Sequence, residues 1–485
     1  MTTAAMRADI VVRGARLIDG SGGPSQSGDL AVVDERIAAM GDLRGWQASL
    51  EIDGRGRVLA PGFIDSHTHD DRALLSAPLM KPKVSQGVTT VVVGNCGLSV
   101  APLRGKPPNL AEFGVFGEGD DHWFADFGDY IRALKNDPAA VNAACLVGHS
   151  TLRASTMESL DRPANEREIA AMRAELGRAL EAGAMGLSTC MADDAARAAP
   201  TAEIEAIGEV LAAHRAFYCT HLRNEANDVI EALEEAIVIG QSCHAPVQVA
   251  HHKCAGLQNF GRSRETLALL EKARLKQDIA IDAYPYAAAS TVLHPDYIHD
   301  ATRTIVAWSG AVPAAAGRDL AELAAEWDCS LDEASDRLQP ASAIYFMMDE
   351  ADVRRILSDP HTMIGSDGLQ HDPHPHPRLW GAFARVLGHY ARDVGLFTLE
   401  EAVRRMTGLP ASRFGFVDRG HLRPGAFADL VLFDPDRILD KSTFEKPVQP
   451  CAGVDLVAVN GQIVFRDGTH TGTRPGRVLT GAAAT

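Results

Sequence analysis

The chain has 485 residues, 46% hydrophobic and 23% charged, and a formal charge of −17. That balance is ordinary for a soluble globular protein and excludes bulk disorder, collagen and coiled coil. So acidic a surface argues against nucleic acid and anionic membranes as partners, and gives an anionic substrate no long-range steering, so any carboxylate must be held by local Arg, Lys or Tyr. No apolar run approaches the roughly 18 residues of a membrane span. The N-terminal MTTAAMRADIVV lacks the layout of a secretory signal. Eight cysteines contain no C-x-x-C pair. They are expected to be reduced, in a cytoplasmic protein, and a monomer is favoured.

In chain order, the first elements are short strands. DIVVRGARLIDG, DLAVVDERIAAMG and RVLAPG alternate apolar and polar residues between glycines. The far end reads likewise: ADLVLFD is a strand run, and LVAVNGQIVFRDG places Asn460-Gly461 between two alternating runs, a strong hairpin signal. Neither end can bury a core alone. Residues 1–61 and 415–485 are therefore expected to pack together as one small β-sandwich.

Between them, eight apolar runs recur: 63–69, 88–96, 142–149, 183–189, 216–223, 245–252, 278–286 and 362–368. Amphipathic stretches separate several of them, including 165–183, 202–216, 227–241 and 263–277. Strand alternating with helix implies a parallel sheet covered by helices. Eight such units imply an α/β fold, a (β/α)8 TIM barrel, over 62–414. No G-x-G-x-x-G follows a strand, so a dinucleotide fold reads poorly. The segment 287–345 is too long for one connection and is expected to be a subdomain inserted after strand 7.

The carboxyl ends of these runs carry the chemistry. The first ends in His67-Thr68-His69, the second in Cys96, the fifth in His221. The sixth ends in His251-His252-Lys253, the seventh in Tyr284 and Tyr286, the eighth in Ser366-Asp367-Gly368. In a barrel these ends meet at one mouth. Imidazoles, a thiolate and a carboxylate together suit Zn2+. A lone histidine at a strand end is by default structural, but His67 and His69 one residue apart share a face. His252 reads as packing or support. His122, His214, His244, His389 and His470 have no such context, and His371, His374 and His376 in HDPHPHP have poor ligand spacing. Asp367 fits a base beside a metal, although a helix cap is the bland alternative.

These motifs resemble the metal-dependent amidohydrolases, and within them the D-aminoacylases, or N-acyl-D-amino-acid deacylases. The resemblance runs end to end through APGFIDSHTHDD, KVSQGVTTVVVGNCG, NAACLVGHSTLR, THLRNE, HHKCAGLQNFGRSRETL, DAYPYAAAST, YFMMDE, IGSDGLQHDPHPHPRLWG and PGAFADLVLFDP. It implies a tightly held zinc on Cys96, His221 and His251, and a weaker second site on His67, His69 and the shared Cys96. It implies Asp367 as general acid/base, and Arg378, Tyr284 and Ser290 as a clamp on the substrate α-carboxylate. Lys253 would add a polar contact. The handedness of the substrate comes from the resemblance alone.

The side-chain pocket is expected to include the apolar run 344–348, with Tyr345 and Met348. No arginine follows Ser290 until Arg303, so neutral side chains such as D-Met, D-Leu or D-Phe are expected over acidic ones. One departure from the family pattern stands after strand 4, where GLSTCMADDAARAAP has Cys190 in place of glycine and Asp193-Asp194 in place of an aromatic-proline pair. The alternatives are an N-acyl-D-glutamate or -aspartate deacylase, a ring-opening hydrolase of the hydantoinase/dihydropyrimidinase type, and a barrel that only binds.

Overall fold

The computed structural model describes residues 6–117 and 121–480; the outermost residues of the two terminal segments lie outside them. Eight parallel strands form the barrel, and they coincide with the eight apolar runs. Strands 1 and 2 are Phe63–Asp65 and Val88–Val93. Strand 3 is broken into Asn142–Cys145 and Val147–Gly148. Strands 4 to 8 are Gly186–Cys190, Phe217–His221, Val247–Val249, Ile279–Ala283 and Thr362–Ile364. Val88–Val93 is buried at every position, because helices cover the outside and side chains fill the inside. Ile64, Val92, Leu146, Cys219, Ala250 and Met363 pack within the barrel, and Phe414 and Phe416 join them as a floor.

The covering helices follow their sequence signals. Glu166–Glu181 starts at a capping box in which Asn165 and Glu168 satisfy each other's backbone amides. Val229–Ser242 and Ser263–Arg274 bury one face each against the barrel.

The two chain ends share one nine-stranded sheet. Its join is antiparallel pairing of Val58–Pro61 with Leu430–Phe433. Met6–Leu17 pairs antiparallel with Gln26–Val33 and parallel with both Trp46–Asp53 and Val58–Pro61. The sheet thus curls onto itself around Val12, Leu17, Leu30, Leu59, Leu430 and Leu456. The expected hairpin is present: Asn460 and Gly461 both have positive φ, 49° and 79°, between paired strands. Within 415–485, Val478–Leu479 leaves this sheet and pairs in parallel with Asn142–Cys145 of the barrel. Its two-residue length gave no pattern to read.

The segment after strand 7 forms its own three-stranded antiparallel sheet of Ala289–Val292, Ala341–Tyr345 and Thr304–Ser309. Leu320–Glu326 and Leu331–Leu338 lie between its strands in sequence. Among the described residues, no helix is long and apolar enough to cross a membrane. All eight cysteines are free thiols.

Candidate active site

The strand ends converge as the alternating pattern required. Cys96 Sγ lies 3.4 Å from His67 Nε2 and 3.2 Å from His251 Nε2. Among the described residues, three sets of side chains bring potential ligand atoms within 4.8 Å of one another: His67, His69 and Cys96; Cys96, His221 and His251; and His67, His251 and Asp367. Cys96, His251 and Asp367 have positive φ of 50°, 33° and 49°. Non-glycine residues adopt that region at a cost of order 1–3 kcal/mol, and such strain gathers at functional sites. Gly365 has a steric role here. A Cβ on it would come within 2.6 Å of His67 Cβ, so glycine lets strand 8 approach strand 1.

A second layer of carboxylates stands behind the imidazoles. Asp282 Oδ1 lies 3.4 Å from His67 Nδ1 and accepts the His251 backbone N–H at 2.7 Å. Glu225 lies 3.1 Å from His251 Nδ1 and 3.3 Å from His221 Nε2, and both its oxygens accept from Lys253 Nζ at 2.6 Å. Glu225 and Asp282 escaped the sequence reading. Glu225 lies in THLRNE, four residues after His221, and that spacing is its only sequence signal.

Asp367 sits between two kinds of partner. Its Oδ1 is 3.5 Å from His67 Nε2 and 3.3 Å from His69 Nε2, and its Oδ2 is 2.8 Å from Arg378 Nη1. Burial alone would push this carboxyl up, but Arg378 and the neighbouring imidazoles hold it well below the usual carboxylate range. Burial pushes the Cys96 thiol well up, with Asp367 adding to the effect.

Above these groups opens a cavity of about 510 Å3. It is lined by His69, Cys96, His221, His251 and Asp367 and also by Lys253, Tyr284, Ser290 and Arg378. The Arg378 guanidinium lies 4.6 Å from the Tyr284 ring centre and donates to the Ser290 carbonyl at 3.2 Å. Arg378 Nε and Ser290 Oγ are buried without hydrogen-bond partners among the described residues. His376 braces the loop that delivers Arg378: its Nδ1 accepts the Arg378 N–H at 2.9 Å, and its Nε2 meets Ala288 O at 3.0 Å. His252 meets Thr266 Oγ1 at 2.8 Å and stays out of the cavity lining.

Two expected contacts fall elsewhere. Tyr345 is fully buried, and its hydroxyl donates to Val292 O and accepts from His294 N, so it braces the inserted sheet. Met348 lies against Tyr284 and Lys253 but is absent from the main cavity, which Met347 lines instead. Both methionines lie just past the end of Ala341–Tyr345, and the sequence did not reveal which of the two faced in. In the unusual loop, Cys190 is buried, Asp193 lines the cavity, and Asp194 pairs at the surface with Arg197 at 3.2 Å.

This arrangement has close counterparts. The amidohydrolase family model matches residues 50–255 and 280–465. The chain belongs to the amidohydrolase family. This amidohydrolase is 53% identical over 477 residues to the D-aminoacylase of Alcaligenes xylosoxydans xylosoxydans, covering 98% of each chain. It is 50% identical over 476 residues to the N-acyl-D-aspartate deacylase of the same organism, covering 98% of this chain and 95% of that one. Its fold matches the crystal structure of the N-acyl-D-glutamate deacylase from Bordetella bronchiseptica, solved with zinc and a phosphonate inhibitor. That match has a TM-score of 0.95 and 45% identity, covering 98% of this amidohydrolase and all of the other chain.

Proposed function

We propose that this amidohydrolase cleaves the amide bond of N-acyl-D-amino acids with neutral, hydrophobic side chains, using zinc. The observation that carries the reading is the meeting of Cys96, His221 and His251 beneath a cavity that Asp367 and Arg378 also line. The donor set fits the metal. One thiol and two imidazoles suit Zn2+. Glu225 beside His251 Nδ1 is the carboxylate–histidine pairing that orients zinc ligands. A buried thiol with a raised pKa becomes a thiolate when a cation joins it. His67 and His69 with Cys96 would make the weaker second site.

When bound, zinc supplies Lewis-acid polarisation and acidifies water to near neutrality. The remaining work falls to the chain's own residues. Arg378 and Ser290 offer unpaired donors to the substrate α-carboxylate, and Tyr284 flanks them. Arg378 tethers Asp367 Oδ2, which leaves Oδ1 to accept the proton of the attacking water. Asp367 then returns that proton to the leaving nitrogen, because an amine departs poorly unless protonated.

The relatives named for D-aspartate and for D-aminoacylase activity are almost equally similar, so identity alone does not choose the side chain. The lining does. Leu98, Val115, Met191, Met347 and Leu369 face the cavity, and the lining arginines Arg197 and Arg223 are engaged by Asp194 and Glu235. Arg303 is engaged by Asp319 at 3.0 Å and does not line it. The test is turnover of N-acetyl-D-Met, -Leu, -Phe, -Glu and -Asp, with L-isomers and a hydantoin as controls. Turnover of the hydantoin alone would replace this reading with the ring-opening one.

A further inference from the structure

Lys83 is fully buried, and nothing in the chemistry above uses it. It lies at the seam between strands 1 and 8. One hydrogen-bonded sheet runs from strand 8 back to Val147–Gly148 of strand 3, and another runs from Asn142–Cys145 to strand 1. Among the described residues, no ladder joins strand 1 to strand 8. The seam has separate backbone bonds instead: Ser66 N to Ile364 O at 3.3 Å, Asp367 N to His67 O at 2.8 Å, and His69 N to Gly368 O at 3.4 Å.

The ammonium of Lys83 fills that gap. Its Nζ donates to Asp65 Oδ2 at 2.7 Å, Ser366 Oγ at 2.7 Å and Thr68 Oγ1 at 3.0 Å. Three protons thus meet three oxygens. Asp70 Oδ2 follows at 3.2 Å. Asp65 extends the stitch by accepting the Ser366 N–H and hydroxyl at 2.8 and 2.6 Å. The placement of these partners matters. Thr68 separates His67 from His69, and Ser366 directly precedes Asp367. One buried cation therefore fixes the backbone on both sides of the 3.3–3.5 Å contacts between Asp367 and the two imidazoles.

We infer that Lys83 is a positioning residue that sets the spacing between the His67–His69 pair and Asp367. The inference rests on the proposed deacylase reading for its kinetic effect, but not for its geometry. Groups that orient site residues typically cost 10–100-fold in metal affinity or activity when removed.

The test uses Lys83→Met, which keeps the aliphatic stem, and Lys83→Met/Asp65→Asn, which also removes the stranded carboxylate. Kinetics on N-acetyl-D-Met are read beside the imidazole NMR signals of His67, His69, His221 and His251. In Lys83→Met, kcat is expected to fall roughly 10–100-fold with KM within about threefold. The His67 and His69 signals should move while those of His221 and His251 stay. The double variant should regain melting temperature but neither kcat nor the parental signals. Unmoved signals with kcat within threefold in either folded variant would overturn the inference. So would recovery of kcat together with melting temperature, which marks a purely structural role. A parent that does not turn over N-acyl-D-amino acids, with signals that still move, would sink the deacylase reading and leave Lys83 as assigned. Unmoved signals in such a parent would sink both.

Discussion

Arg378 Nη1 stands 2.8 Å from Asp367 Oδ2, so the proposed carboxylate clamp and the proposed proton carrier form one ion pair. The pair is buried on both sides. One guanidinium thereby holds the base at one edge and offers its unpaired Nε at another. Substrate seating and base orientation are coupled through a single side chain. Arg378→Lys keeps the charge but loses the planar fork. KM for N-acetyl-D-Met is expected to rise at least roughly tenfold, and kcat to fall with it. Steady-state kinetics with both constants unchanged would remove Arg378 from the clamp.

Asp367→Asn should still fold and keep its zinc, at the lower stability expected of a stranded Arg378, while cutting turnover. The amide has nearly the carboxylate's shape but cannot take a proton. Loss of a general base typically costs about 10²–10⁴-fold. Metal analysis beside kcat measures both halves, and a variant within fivefold of the parent would move the role elsewhere.

Purified protein is expected to carry zinc nearer one equivalent than two. Cys96, His221 and His251 make a soft, carboxylate-backed set, whereas His67 and His69 must share the same thiol. Cys96→Ala or His221→Ala should lose metal and activity together. Near-normal turnover in either one, with elemental analysis alongside, would break the assignment.

N-acetyl-D-Met or -Leu should exceed N-acetyl-D-Glu in kcat/KM by roughly tenfold or more. An unpaired second carboxylate in an apolar wall costs several kcal/mol. Asp193 on the cavity lining adds repulsion. Equal or reversed values across the substrate panel would refute the neutral preference.

Away from the site, Glu203 couples pH to stability. Burial pushes its carboxyl up, but the His149 imidazole at 3.1 Å, the Ala164 N–H at 2.9 Å and the Arg153 guanidinium hold it at about 2. A depressed carboxylate contributes stability above its unfolded value near 4.5 and loses it as pH falls toward 2. Glu203→Gln strands buried Arg153 and should cost about 3–5 kcal/mol at pH 7. It should also flatten the loss of stability between pH 4.5 and 2 in acid-dependent denaturant melts. A parallel pair of pH curves would show that Glu203 does not carry the effect.

The order of elements was legible in the residues themselves. Recurring short apolar runs marked all eight barrel strands, and Asn460-Gly461 marked its hairpin, because both signals are local in the chain. The strand-end histidines, Cys96 and Asp367 were legible for the same reason: a parallel barrel sends every strand's carboxyl end to one mouth. Pairings between distant segments were not. Val478–Leu479 against strand 3, Glu225 behind His251, and Lys83 between Asp65 and Ser366 each depend on how far the chain travels before it returns. Whether Met347 or Met348 faces the cavity turned on the rotation of one strand's exit, which adjacent residues of the same type do not encode. Local pattern set the strands and their ends; tertiary packing alone decided which buried charges meet behind them.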